Sequence, residues 1–386
     1  MRKLYIERAY NALPIYTADV SGVCSALYEL GGMTVIHDPS GCNSTYNTHD
    51  ETRWYDRDSL IFISGLTEID AVMGNDEKFT ADVVQAAQQL HPAFIALVCS
   101  PIPYMNGTDF PALARLIEAQ TGIPAFHVPA NGMHDYICGA GQAYRQLAER
   151  ILLPRETHTG ACRVNILGMT PLDFAAPSSP ASLRAVLRSQ GFEIQSCWAM
   201  GDTLDALRTA SSADVSLVVS AAGLPAAEYM YETYHIPWAV GLPLPGLEKY
   251  TADALRQSAS DGLCRRVYEP LREGMVREDA PAVFIGEAVC MQSLAALYTL
   301  RTKSPARVLC PLEQSESLLL AGDAYVYGEQ ACAQALQGAQ LVTADPFYAE
   351  ILPAGCDLFS LPQLAFSGRN HLREIPDIFT EAISWD

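Results

Sequence analysis

Ala93-Phe94-Ile95-Ala96-Leu97-Val98-Cys99 is an unbroken apolar run, too short for a typical helix and without the polar alternation of a strand that has one wet face. A strand covered on both sides reads this way, and such strands belong to parallel sheets. Downstream, Phe110 to Gln120 is an amphipathic helix, and Gly122-Ile123-Pro124-Ala125-Phe126-His127-Val128 is a turn leading into another strand. Upstream, Met33 to His37 and Ser59 to Ile63 read as strands and Ala81 to Leu90 as a helix. Strand and helix alternate, so the expected fold class is α/β with parallel sheets.

The pattern recurs. A polar stretch, Pro154 to Gly160, precedes a new strand at Arg163 to Gly168. Helices at Ser182–Gln190, Thr203–Ser211 and Ala226–Tyr234 then alternate with strands at Phe192–Ser196 and Val215–Ser220. A second polar region, Arg272 to Asp279, precedes Pro281 to Gly286, the helix Val289–Thr302 and the strand Arg307–Cys310. Three Rossmann-like domains are therefore expected, at 1–158, 159–279 and 280–386, a division that suits 386 residues.

Lys and Arg number 25 against 44 Asp and Glu, a formal charge of −19, while only 18% of residues are charged. An acidic surface without a basic patch disfavours nucleic acid and anionic membranes as partners. No apolar run approaches the roughly 18 residues of a membrane span. Glu7 and Arg8 break the start of the chain before a signal-peptide core forms. A cytoplasmic location is the expectation. The eleven cysteines then point to reduced thiols or metal ligands rather than a disulfide framework.

The motifs of common α/β enzymes are missing. The sequence contains no G-x-x-x-x-G-K-[ST], C-x-x-C, H-E-x-x-H or G-x-S-x-G, and Gly139-Ala140-Gly141 lacks the third glycine of a dinucleotide loop. Cysteines at element ends remain as candidates. Cys42 follows a strand within His37-Asp38-Pro39-Ser40-Gly41-Cys42; Cys99 ends a buried strand; Cys24 follows Gly22 at an expected helix start. Ligands of open parallel sheets gather at the carboxyl ends of strands. Backbone N–H groups at turns and helix starts stabilise thiolates, and a glycine such as Gly41 allows close backbone approach. The other eight cysteines, Cys138 and Cys290 among them, read as small core residues.

Val35-Ile36-His37-Asp38-Pro39-Ser40-Gly41-Cys42 resembles the V-x-H-G-P-x-G-C element of the nitrogenase component 1 superfamily. Thr67 to Phe79, TEIDAVMGNDEKF, resembles its (T/S)-x-x-(D/E)-x-V-x-G-G-x-x-K-L element, and Cys99, 57 residues beyond Cys42, matches its third cluster cysteine. Weaker similarity continues at Glu232 to Trp238 and Leu361 to Arg369. The resemblance implies three Rossmann-like domains and a homodimer or a heterodimer with a paralogous subunit. It also implies an iron–sulfur cluster, [4Fe–4S] or the larger [8Fe–7S] P-cluster type, held by Cys24, Cys42 and Cys99 with partner cysteines. His37 would orient the cluster surroundings. Electrons would arrive from an ATP-hydrolysing iron protein.

The resemblance has its departures. Cys24 lies 18 residues before Cys42, closer than in the molybdenum–iron protein subunits. The cysteine and histidine that hold that family's iron–molybdenum cofactor fall near Val219-Ser220 and Leu361-Pro362-Gln363, where neither residue occurs; His371 is the nearest histidine. Dinitrogen reduction is not expected. The sequence reading is a nitrogenase-like reductase subunit that relays electrons to a bound substrate or cofactor. Its alternatives are a scaffold or carrier for metal-cofactor assembly and a cluster-free binding protein.

Overall fold

The computed structural model describes residues 10–39 and 51–385. Three sheets, every pairing in them parallel, organise it. The first contains β1 (Met33–His37), β2 (Leu60–Ile63), β3 (Ile95–Cys99) and β4 (Ala125–His127), in the order β2-β1-β3-β4. The second contains β5 (Arg163–Leu167), β6 (Glu193–Cys197), β7 (Val215–Val218), β8 (Trp238–Val240) and β9 (Arg265–Arg266), in the order β6-β5-β7-β8-β9. In the third, β10 (Ala282–Ile285), β11 (Ala306–Cys310), β12 (Ala324–Tyr325), β13 (Leu341–Ala344) and β14 (Asp357–Ser360) run in the order β12-β11-β10-β13-β14.

Strand β3 is apolar throughout because both of its faces are covered. On β1 and β3, Met33, Val35, Ile95, Leu97 and Cys99 join one cluster with Phe79, Val83, Phe110 and Ile117. These come from α3 (Asp76–Leu90) and α5 (Phe110–Thr121). Ile36, Ala96 and Val98 face the opposite cluster, with Val23 of α1 (Asp19–Leu27) and Tyr144 of α6 (Tyr136–Ile151). Burying each large aliphatic chain contributes roughly 1.5–3 kcal/mol. Between α1 and α3 lies α2 (Glu68–Met73), and α4 (Pro101–Met105) directly follows β3.

Helix α3 begins at Asp76, earlier than the expected Ala81, because the Asn75 side chain caps it through Lys78 N–H. Helix α1 also begins earlier than expected. It starts at Asp19, so Cys24 lies in its interior rather than at its start. Gly22 permits a close helix crossing instead: a Cβ there would stand 2.2 Å from the Tyr136 carbonyl oxygen, and one at Gly139 would stand 1.9 Å from that of Asp19. The two glycines let α1 and α6 approach backbone to backbone.

Long-range polar contacts join the units. One Glu329 oxygen accepts from the N–H groups of Asn11, Ala12 and Leu13 at 3.0, 2.8 and 2.9 Å. These bonds hold the Glu329 carboxyl below its ordinary pKa. Arg272, fully buried, forms a two-pronged pair with Asp323 at 2.9 and 3.0 Å. It also donates to Gln292 and to the Ala306 carbonyl. No helix among the described residues is long and apolar enough to cross a membrane.

Candidate functional site

A doubly wound sheet binds ligands where its strand order reverses, at the carboxyl ends of the two diverging strands. The reversals fall between β1 and β3, between β5 and β7, and between β10 and β13. In the first sheet His37 and Cys99, the last residues of β1 and β3, are register partners. His37 Nδ1 lies 2.7 Å from the Ser64 hydroxyl, and its ring packs on Phe79 with centroids 4.4 Å apart. Burial lowers its pKa.

Cys99 is buried, and its thiol donates to the Ala130 carbonyl at 3.1 Å. Burial, with a smaller push from Asp19, raises the thiol pKa to about 12. The Asp19 carboxylate accepts from Asn131 N–H at 2.9 Å and Gly132 N–H at 2.7 Å, fixing the loop that carries Ala130. A thiol with so high a pKa is a soft donor that ionises when a metal replaces its proton. What suits Cys99 to a ligand role is its place, at the end of β3 where the strand order reverses.

Gly41 and Cys42 lie outside the described residues. Cys24 is fully buried within α1 and belongs to the apolar cluster on the sheet face opposite to Cys99. Burial, and secondarily Glu51, push its thiol pKa well up. The structure does not bring Cys24 and Cys99 together, and Cys24 packs as a core residue.

The other two reversals meet. Asp173 follows β5, and Glu287 follows β10 and caps α12 (Ala288–Thr302) by accepting from Cys290 N–H at 2.8 Å. Both line one small enclosed chamber with Cys290, Leu361, Pro362 and Gln363. The first unit contributes Tyr136, whose hydroxyl donates to Asp173 Oδ1 at 2.5 Å. Asp173 Oδ2 is buried near the Ser220 hydroxyl without closing a hydrogen bond to it. Glu287 Oε1 accepts from Ala221 N–H at 2.8 Å across the domain boundary. Asp345, at the end of β13, accepts from Gln363 N–H at 2.8 Å, and the Tyr16 hydroxyl reaches Gln363 Oε1 at 3.4 Å. Burial raises the pKa of both Asp173 and Glu287, and in Glu287 the nearby Asp173 adds to it. These are carboxyls held protonated further into the neutral range than ordinary ones.

Sequence reading missed this chamber, although it gave signals. Leu167-Gly168 and Ile285-Gly286 each end the first strand of a unit on a glycine of positive φ, 91° and 152°. A Cβ at Gly286 would meet Gln363 Nε2 at 2.5 Å. Of Ser220 and Gln363, where the resemblance located the missing cofactor ligands, Gln363 lines the chamber and Ser220 lies beside Asp173. His371 instead pairs with Glu374 at 3.1 Å.

The Thr67–Phe79 element proves to be helix-end chemistry. Thr67 and Asp70 form a reciprocal capping box on α2, and Asn75 donates to Asp70 at 2.7 Å. Lys78 pairs with Asp70 at 3.5 Å. Hydrogen bonds from Asn75 and Thr67 hold the Asp70 carboxyl far below its ordinary pKa. Helices α2 and α4, tied by Asn106 Nδ2 donating to the Ala71 carbonyl at 2.8 Å, present Ile69, Val72, Met73, Ile102, Tyr104 and Met105 to solvent. Val72 is 82% exposed and Met105 79%, in an apolar patch that begins three residues after Cys99.

Residues 22–256 match the family model described as nitrogenase component 1 type oxidoreductase. The chain is 22% identical over 245 residues to the nitrogenase iron-molybdenum cofactor biosynthesis protein NifE of Klebsiella pneumoniae, covering 58% of this chain and 51% of that one. It is 27% identical over 232 residues to a light-independent protochlorophyllide reductase subunit of Prosthecochloris aestuarii, covering 58% and 42%. The chain thus matches about half the length of these curated relatives. A solved structure described as "Nitrogenase Cp1 at pH 5" shares the fold with a TM-score of 0.62 at 14% identity, over 95% of this chain and 88% of that one. With the family match spanning more than half its length, the chain belongs to the nitrogenase component 1 type oxidoreductase family.

Proposed function

We propose that this chain is the electron-accepting subunit of a nitrogenase-like reductase, pairing with a second copy or a paralogous subunit across the α2–α4 patch. Cys42 and Cys99 would hold an iron–sulfur cluster there, with the remaining ligands from the partner. When bound, the cluster passes electrons singly from an iron protein. The acidic chain, without a phosphate loop, leaves ATP hydrolysis to that protein.

The observation that carries this reading is the chamber lined by Asp173, Glu287 and Gln363, with the Tyr136 hydroxyl of the first unit donating to Asp173. Reduction consumes protons along with electrons. Asp173 and Glu287, whose hold on a proton burial strengthens, would release protons into that space, and the Tyr136 hydroxyl would stabilise Asp173 once it is charged. The substrate would be a small reducible molecule or a tetrapyrrole.

The chamber's roughly 20 Å³ is room for about one water. A second reading, a scaffold that holds a cofactor without turning over substrate, is in keeping with the NifE relative.

Anaerobic expression with iron, followed by iron and sulfide analysis, tests the cluster. C42A and C99A should each lose most of the iron, and unchanged iron in both overturns the proposal. Turnover with an iron protein, MgATP and reductant separates the two readings. In a reductase, D173N and E287Q slow product formation while iron content stays the same; a scaffold gives no product.

A further inference from the structure

We propose that His134, Cys138 and Glu313 form a separate site for a divalent transition metal of zinc-like softness, between the first and third units. His134 lies just before α6, Cys138 is in its first turn, and Glu313 is in the loop after β11. Their donor atoms all lie within 4.8 Å of one another, with His134 Nδ1 already 2.8 Å from Glu313 Oε2. Among the described residues they form the one such group of three or more histidine, cysteine or carboxylate side chains. One nitrogen, one sulfur and one oxygen donor suit zinc and its neighbours better than magnesium or calcium.

Metal–donor distances of about 2.0–2.3 Å set the donors of a tetrahedral site roughly 3.3–3.8 Å apart. The exposed His134 and Glu313 side chains therefore need to move by about an ångström to close on a metal. The backbone that carries them is already fixed. One carboxylate, Asp135, accepts from Ile137 and Cys138 N–H at 3.1 and 3.3 Å and, through its other oxygen, from Glu313 N–H at 2.6 Å. It clamps both ligand-bearing segments, as an outer-shell partner does. Gln314 Nε2 lies 3.3 Å from Cys138 Sγ, and Gln314 holds a positive φ of 57°.

Three protein ligands leave a fourth position open, the arrangement of sites that act on a ligand rather than brace a fold. His134 and Glu313 also line a cavity of roughly 250 Å³ walled by Tyr16, Tyr325, Tyr327 and Tyr348. The open position accordingly takes water or a donor atom of a small ligand whose flat apolar body stacks in that cavity.

Cobalt(II) titration of the full-length, reduced, cluster-free protein tests the site. Wild type should bind one equivalent with the intense visible bands of tetrahedral cobalt and a thiolate charge-transfer band. C138S should lose the charge-transfer band, and H134A and E313Q, changed at exposed side chains, should weaken binding by roughly tenfold or more. C42A and C99A should keep the spectrum, which separates this site from the cluster ligands. The proposal fails if wild type shows no such bands, if they survive in C138S, or if C99A rather than C138S removes them.

Discussion

Asp173 and Glu287 both bind protons more tightly when folded than the roughly pH 4 of an unfolded chain. Their contribution to stability is therefore fully present below about pH 4 and is lost as pH rises through the neutral range. Thermal melting between pH 5 and pH 8 should fall more steeply for wild type than for the D173N/E287Q double variant. Parallel pH profiles would show that the two carboxyls titrate normally. Cys99 was legible as a site candidate because it ends a buried strand. The carboxyl pair was not, because nothing in one dimension shows that residues 114 positions apart meet across two sheets.

Helix α1 shows how element boundaries shift the meaning of a residue. A glycine two positions before a cysteine reads as a helix start, yet Gly22 is interior and serves the crossing with α6. G139A would drive a methyl into the Asp19 carbonyl and should destabilise by about 1–3 kcal/mol in urea unfolding. Overpacking of this kind also displaces the helix that carries Asp19, which fixes the loop beneath Cys99. Central strands such as β1, β5 and β10 were legible to within a residue or so, since apolar runs bounded by glycine and proline have few other readings, whereas the short or more polar β9, β13 and β14 were not read as strands. The Thr67–Asp70 capping box was hidden by its likeness to a family motif.

Arg272 ties neighbouring elements together through one buried pair. R272M leaves Asp323 buried with only Gln292 and the N–H groups of Val308 and Leu320 as partners. The loss should be about 3–5 kcal/mol. Adding D323L removes the stranded charge and should recover part of it, a non-additivity that a double-mutant cycle reads directly. An additive pair would mean that the two side chains act independently.

For the molecule in the assembly proposed above, the exposed α2–α4 patch is the surface to test. V72K/M105E should shift sedimentation from dimer to monomer while leaving the far-ultraviolet spectrum unchanged; an unchanged dimer would relocate the interface. With a net charge of −19, docking of the iron protein proposed above should weaken with salt if complementary charge steers it. Three sheets could be counted from the sequence because each repeats the same local code. Their mutual placement could not, because it rests on contacts between residues far apart in sequence, both in the apolar cluster that the three units share and in long-range hydrogen bonds.

The Glu329 clasp is one of those contacts, and it sets an order of events. Asn11, Ala12 and Leu13 are separated from their acceptor by 318, 317 and 316 residues, and Thr17 N–H donates to the Ala365 carbonyl at 2.8 Å. During synthesis this segment emerges more than 300 residues before its partners. Its amides should therefore be among the latest to gain protection in pulse-labelled hydrogen exchange, well after those of β1 and β3. Closure of the clasp would then be a late step, coupling the ordering of residues 11–13 to that of the third sheet.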